Sequence, residues 1–329
     1  MHYGINLEPP ADTLDGRHLP RLIGLWLDHC AQRLPAATVA GYRTKIRWFV
    51  TWWEDVGHWH DHQISETLLT DFAGYLNRAT ADDGKPLAYN TRRDVLRRLR
   101  QLLHWAARRG YTARDFAAWV PAADGSAPLR RAATVEHLVA LLVAAGHSRM
   151  PIRDRAIVGL LAGTGIRLGE CVALDISDIQ LDADGSGTAM IQHAKRVKNR
   201  DVQGRVVAID GFTGRLLVDH LDTCPAGGPL FVTESGRISN QTMYRVVKRA
   251  IERAGLVGVI QGPHDLRRAF VTYNARMLPG PAGAQYVSQQ VGHTSFAMTQ
   301  RYNLQDVESL RSVIRSPLAE RVEPGKNVS

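Results

Sequence analysis

The sequence predicts a mainly α protein with a small antiparallel β-sheet, built as a helical domain followed by a mixed α/β domain. Apolar residues return every three or four positions from Leu19 to about Val120. Two prolines, a glycine and small polar residues interrupt that rhythm at 121–133. Beyond the break, helical segments flank two β-like stretches separated by a basic loop. The length agrees: 329 residues are too many for one ordinary core and suit two.

Residues 1–18 form an N-terminal extension that opens "MHYGINLEPP", without the charged-then-apolar pattern of a secretory signal. Four amphipathic helices follow in 19–120: "LPRLIGLWLDHCAQRL", "TVAGYRTKIRWFVTWW", "TLLTDFAGYL" and "TRRDVLRRLRQLLHWAARRG". Residues 121–133 read as a linker. The second domain, 134–315, opens with helices at 134–146 and 151–162, then turns at "GTG" into a third helix from about Leu168. "TAMIQHAK" and "GRVVAID" are its strands, and helices return to the end, leaving 316–329 as a loose tail.

Composition narrows the function classes. A hydrophobic content of 44% with 22% charged residues belongs to a folded globular protein, and a net charge of +9 favours an anionic partner, nucleic acid or a membrane surface. The longest apolar run, "LVALLVAAG" at 138–146, is too short to span a bilayer, so a cytoplasmic protein is expected. Cys30, Cys171 and Cys224 are odd in number and widely spaced, which reads as three small buried thiols. His58, His60 and His62 alternate in "GHWHDHQ" but lack an acidic or cysteine ligand set, so they read as solvated histidines of a turn.

Several segments carry candidate chemistry. The fourth helix holds seven arginines against one aspartate, with Val95, Leu99, Leu102, Leu103 and Ala106 as its apolar stripe. Its polar face, with Arg92, Arg93, Arg97 and Arg100, is a candidate for tracking DNA phosphates, joined by Arg43, Lys45 and Arg47 on the second helix. The neighbouring Trp48, Phe49, Trp52 and Trp53 read as core. In "GTGIRLGE", Arg167 follows a glycine turn, and Glu170 is either its ion-pair partner or a first-turn acid. In "GPHDLRRAF", Pro263 starts a helix that places His264 and Arg267 three residues apart on one face. A phosphate there would meet backbone N–H groups, an imidazole and a guanidinium. In "GHTSFAMTQRYN", Thr294 and Ser295 signal a short helix with Tyr302 near its end. By itself Tyr302 reads as a packed aromatic with its hydroxyl tied to a partner rather than as a presented nucleophile.

The order of these segments resembles the tyrosine recombinase (phage integrase) family: Arg167 in "GTGIRLGE", a lysine in a β-hairpin, "HDLR", then "VGHTS" with a tyrosine nine residues after its histidine. Arg167, Glu170, Leu174 and Asp178-Ile179 match the family's R-x-x-E-x-x-x-L-x-x-x-D-I spacing. The resemblance covers nearly the whole chain. It implies a helical core-binding domain and a tyrosine-recombinase catalytic domain, with a catalytic set of Arg167, Lys195, His264, Arg267, His293 and Tyr302. By the same resemblance the arginines and His293 stabilise a pentavalent phosphorus, Tyr302 attacks it, Lys195 protonates the departing 5′ oxygen and His264 assists at the tyrosine. No cofactor or metal is implied. Lys195 is preferred over Lys198 because it directly follows the strand-like "MIQHA", although the hairpin loop is longer than the family's usual one.

The implied partners are double-stranded DNA, further copies of the chain in a tetramer and accessory recombination proteins, in a nucleoid-associated setting. The helix "LQDVESLRSVI" after Tyr302 either covers its own domain or docks on a neighbouring subunit. The segment before Leu19 is too short for an additional arm-type DNA-binding domain. Two other functions fit parts of the pattern: relaxation of supercoils by a type IB topoisomerase, and DNA binding by a non-catalytic accessory protein.

Overall fold

A computed structural model describes residues 18–55, 64–81, 83–126, 132–192, 204–292 and 313–319. The chain divides into two compact units, residues 1–129 and 130–329. The first contains α1 (Leu19–Ala31), α2 (Ala36–Asp55), α3 (Glu66–Arg78) and α4 (Tyr89–Arg108), followed by a 3-10 turn at Phe116–Trp119. Each helix starts or packs for a local reason. Pro20 lies in the first turn of α1, and the Ser65 hydroxyl accepts the Leu68 N–H at 3.1 Å to cap α3.

Aromatic residues fill the centre of this unit. Phe49 and Trp53 are fully buried, and Phe49 meets Phe72 edge to face with ring centroids 4.9 Å apart. Truncating such a ring to alanine costs about 3–5 kcal/mol, which makes these groups core rather than base-stacking surface. The apolar stripe of α4, from Val95 to Ala106, is buried as its period requires.

The second unit begins with α5 (Val135–Gly146), α6 (Pro151–Thr164) and α7 (Leu168–Ala173), then a 3-10 turn at Ile176–Asp178. Strands β1 (Ile179–Leu181), β2 (Gly187–Ile191) and β3 (Arg205–Ile209) form an antiparallel sheet in the order β1-β2-β3. Ile191 pairs with Arg205, so the loop between β2 and β3 leaves and re-enters the sheet at those two residues. Next come α8 (Gly211–Leu221), a hairpin of β4 (Val232–Thr233) and β5 (Gly236–Arg237), α9 (Asn240–Arg253), α10 (Pro263–Met277) and α11 (Pro281–Val291).

Helix α6 is the centre of this unit, buried from Ala156 to Thr164 and packed against α5, α8 and α10. Its glycines bring α8 close. A Cβ on Gly159 would lie 2.4 Å from Leu216 Cδ1, and one on Gly163 would lie 2.0 Å from Thr213 Oγ1.

Some boundaries differ from the sequence reading. The sheet gains β1, and a separate hairpin forms from β4 and β5, because strands of two or three residues are too short to show alternation. The loose tail expected from 316 is packed through its first residues, with Ser316 and Leu318 buried. Part of the expected linker is fastened down: Asp124 accepts from Asn77, and its carbonyl accepts from Arg92 at 3.3 Å. Cys30 and Cys171 are buried, whereas Cys224 is only half-buried, its thiol donating to the His220 carbonyl at 3.3 Å. No helix among the described residues is long and apolar enough to cross a membrane. His58, His60 and His62 lie outside the described residues.

Candidate active site

The candidate site begins where α6 stops. Gly165 caps that helix with φ +67°, and a Cβ there would lie 2.6 Å from Phe270 Cδ1, so only glycine can make this turn against α10. The chain then buries Ile166 and places Arg167 at the N-cap of α7. Glu170, one turn on, accepts the Arg167 backbone N–H at 2.8 Å and the Arg167 Nη1 at 2.8 Å. It is therefore both the ion-pair partner and the first-turn acid.

A third group joins them from β3. Arg205 donates Nη1 and Nη2 to the two Glu170 oxygens at 3.0 and 2.7 Å, and Nε to the Gln290 carbonyl at 3.2 Å. Glu170 is only 4% exposed, and its four accepted hydrogen bonds account for its lone pairs. Burial by itself would raise its pKa. The hydrogen bonds and charge of Arg205, with those of Arg167, outweigh that effect and hold the carboxyl below the ordinary glutamate value.

Helix α10 supplies the remaining guanidinium. Pro263 occupies its first turn, as the sequence predicts, and Asp265 secures the entry by accepting the Gln261 N–H at 2.7 Å. His264 is exposed, and Arg267, one turn further, is buried with Nη1 donating to the Gly165 carbonyl at 2.8 Å. Burial and the neighbouring Arg167, moderated by Glu170 and reinforced by Arg205, bring the Arg267 guanidinium down to about 10. Three guanidiniums thus act around one carboxylate, a surplus of two positive charges (three minus one). Such a cluster favours an anion, above all a phosphate with several oxygens to offer.

Helix α11 closes the described part of the site. It ends at Gly292, φ +68°, whose carbonyl accepts Arg167 Nη2 at 2.8 Å. A Cβ on Gly292 would lie 2.9 Å from Arg205 Cζ, so the absence of a side chain lets this turn close on the guanidinium. Gln290 is fully buried and acts as an extra strand partner, its amide oxygen accepting the Ala208 N–H at 3.0 Å and its Nε2 donating to the Ala208 carbonyl at 2.9 Å.

Among the candidate catalytic residues, the structure gathers Arg167 and Arg267 around Glu170 and places His264, itself exposed, on the first turn of α10. Lys195, His293 and Tyr302 lie outside the described residues, as do Lys198 and most of the helix expected after Tyr302. The sequence reading missed Arg205 and Gln290. Arg205 was visible only as the first residue of a strand-like stretch that follows a basic loop.

The candidate DNA-contacting residues divide by environment. Arg43, Arg47 and Arg97 are exposed, and Lys45 is half-exposed; none makes a hydrogen bond or ion pair among the described residues. Arg93 is exposed beside the Tyr89 ring at 5.8 Å. Arg92 donates to the Asp124 carbonyl at 3.3 Å and Arg100 to the Val120 carbonyl at 2.7 Å, so both also hold the segment after α4 in place. In the second unit, Arg149, Arg153, Arg245, Arg249 and Arg253 line a cleft of about 330 Å³ that no sequence motif singles out.

Residues 132–308 match the phage integrase family, and residues 61–120 match the phage integrase SAM-like domain. Tyrosine recombinase XerD of Mycobacterium tuberculosis is 30% identical over 300 residues, covering 88% of this chain and 94% of that protein. The fold is shared with a lambda integrase (75–356) dimer bound to a COC′ core site, at 18% identity over 85% of this chain and 96% of that one, with a TM-score of 0.62. It is also shared with XerH site-specific recombinase bound to palindromic difH substrate, at 20% identity over 84% and 80% of the two chains, TM-score 0.63. The match across the segment that carries Arg167, Glu170, Arg205 and Arg267, joined to similarity along most of the chain, places this protein in the phage integrase family of tyrosine recombinases.

Proposed function

We propose that the chain is a site-specific DNA recombinase that cleaves and rejoins double-stranded DNA through a 3′-phosphotyrosyl intermediate. The observation that carries this reading is the surplus of positive charge around Glu170, with Arg267 buried and repelled by its neighbours until an anion arrives. A phosphodiester gains negative charge as its phosphorus becomes pentavalent, so guanidiniums fixed in advance stabilise that state more than the ground state. Arg167 and Arg267 grip the non-bridging oxygens and His293 donates a further hydrogen bond.

Tyr302 Oη forms the new bond to phosphorus, and its proton passes on the His264 side. The 5′ oxygen leaves with a proton from Lys195. One phosphoester replaces another, so rejoining requires no added energy source. Residues 19–120 supply phosphate contacts through the exposed cations of α2 and α4, residues 121–133 connect, and residues 134–315 carry the chemistry. Strand exchange takes place in a synaptic tetramer of this chain, in the cytoplasm and on the nucleoid.

The test uses nicked suicide duplexes drawn from the DNA flanking the gene. Wild type forms a protein–DNA adduct that survives denaturant, whereas Tyr302→Phe binds the same duplex and forms none. Lys195→Ala slows cleavage by about 10²- to 10⁴-fold, the usual contribution of a general acid, and Lys198→Ala slows it far less. Equal losses for the two lysines would reassign the acid.

A further inference from the structure

We propose that Arg205 is a positioning residue that holds three elements of the site in register: the start of β3, the turn bearing Arg167 and the end of α11. The inference rests on the catalytic reading above and concerns a residue to which that reading gives a charge but no contact with the phosphate.

Arg205 is the first residue of β3 and pairs with Ile191, so it stands at the foot of the loop that contains Lys195. From there its guanidinium reaches both oxygens of Glu170, which in turn holds the backbone and side chain of Arg167. Its Nε reaches the Gln290 carbonyl, two residues before the Gly292 carbonyl that receives Arg167. These contacts close a ring through β3, α7 and α11. The Gln290 side chain fastens the same corner from the other side by bonding to both backbone groups of Ala208.

Only arginine has the fork to do this. A planar guanidinium presents donors in two directions at fixed angles, while a lysine ammonium is a point charge that could keep the attraction to Glu170 without the second contact. Arg205 is only 9% exposed at its side chain and all three of its nitrogens are engaged within the protein, which separates it from the guanidiniums available to a phosphate.

The test compares wild type with Arg205→Lys, Arg205→Met, Glu170→Gln and the double variant of Arg205→Met with Glu170→Gln. Single-turnover cleavage of the suicide duplex is followed beside duplex binding. Arg205→Met and Arg205→Lys keep duplex affinity within about threefold of wild type, but the cleavage rate at saturating DNA falls roughly a hundredfold, as for a small displacement of reacting groups. A pH series separates positioning from general loosening. Glu170 faces Arg167, Arg205 and Arg267, with Cys171 beside it and Asp175 and Asp178 across a small cleft. Without Arg205, burial raises the Glu170 pKa, so the Arg205→Met rate relative to wild type falls further as pH is lowered. That trend is absent when Glu170→Gln is also present.

Hydrogen exchange of the free proteins gives a readout that needs no cleavage. Arg205→Met speeds exchange at 288–292 and leaves α5 and α9 protected. If wild type forms no adduct, the phosphotyrosyl reading fails and exchange alone decides this one. Should Arg205→Met lose protection everywhere, Arg205→Lys decides. Wild-type cleavage rates in both substitutions, or unchanged exchange at 288–292, would overturn the proposal.

Discussion

Glu170 shows how one buried acid can organise a cluster of guanidiniums. It is enclosed, yet its pKa is held below the ordinary value because four donors converge on it. A carboxyl whose folded pKa is depressed contributes stability above its unfolded value, and that contribution is lost as pH falls through the folded value. Here it is present above about pH 4.5, the ordinary value, and fades below it. Glu170→Gln therefore costs about 3–5 kcal/mol at neutral pH, the loss expected when one partner of a buried ion pair is removed. The difference from wild type shrinks as pH drops below that value. Urea unfolding midpoints measured across the acid range check both statements. A constant difference at all pH values would mean that Glu170 acts through shape and not through charge.

At the scale of elements, what the sequence made legible depended on how far apart the interacting residues lie. The long helices were readable because their apolar period is local, and α4 buries the stripe that its spacing predicts. The turn before Arg167 and the start of α10 were readable because Gly165 and Pro263 are local signals of a helix stop and a helix start. Arg205 and Gln290 were not, since their partners lie 35 and 82 residues away. The short strands left too little pattern to find. The polar face of α4 was legible in charge but not in division of labour, because Arg92 and Arg100 bond to the segment that follows the helix. That division can be measured. Replacing Arg93 and Arg97 with alanine weakens duplex binding and lowers the slope of log affinity against log salt by about 0.9 per lost phosphate contact, with the unfolding midpoint unchanged. Replacing Arg92 and Arg100 lowers the midpoint as well. Identical behaviour of the two pairs would remove the distinction drawn between exposed and fastened arginines.

At the scale of the whole molecule, the active site cannot by itself specify the biological outcome. A phosphotyrosyl intermediate conserves the energy of the broken phosphodiester, so the same chemistry serves strand exchange between two sites or relaxation of one supercoiled circle. What separates these outcomes is the number of DNA sites that must be assembled before chemistry proceeds. The similarity to XerD along 88% of this chain covers both compact units. Under the proposed function, the exposed cations of α2 and α4 hold a duplex without reading its sequence, and the cluster around Glu170 receives one phosphate. A supercoiled plasmid carrying two directly repeated sites should be resolved into two smaller circles, and a plasmid carrying one site should remain supercoiled under the same conditions. Gel analysis after protease treatment distinguishes the products. Relaxation of both plasmids without resolution would assign the chain to topoisomerase-like action and leave the chemistry proposed for Tyr302 intact, because the requirement for synapsis, and not the covalent step, would have failed.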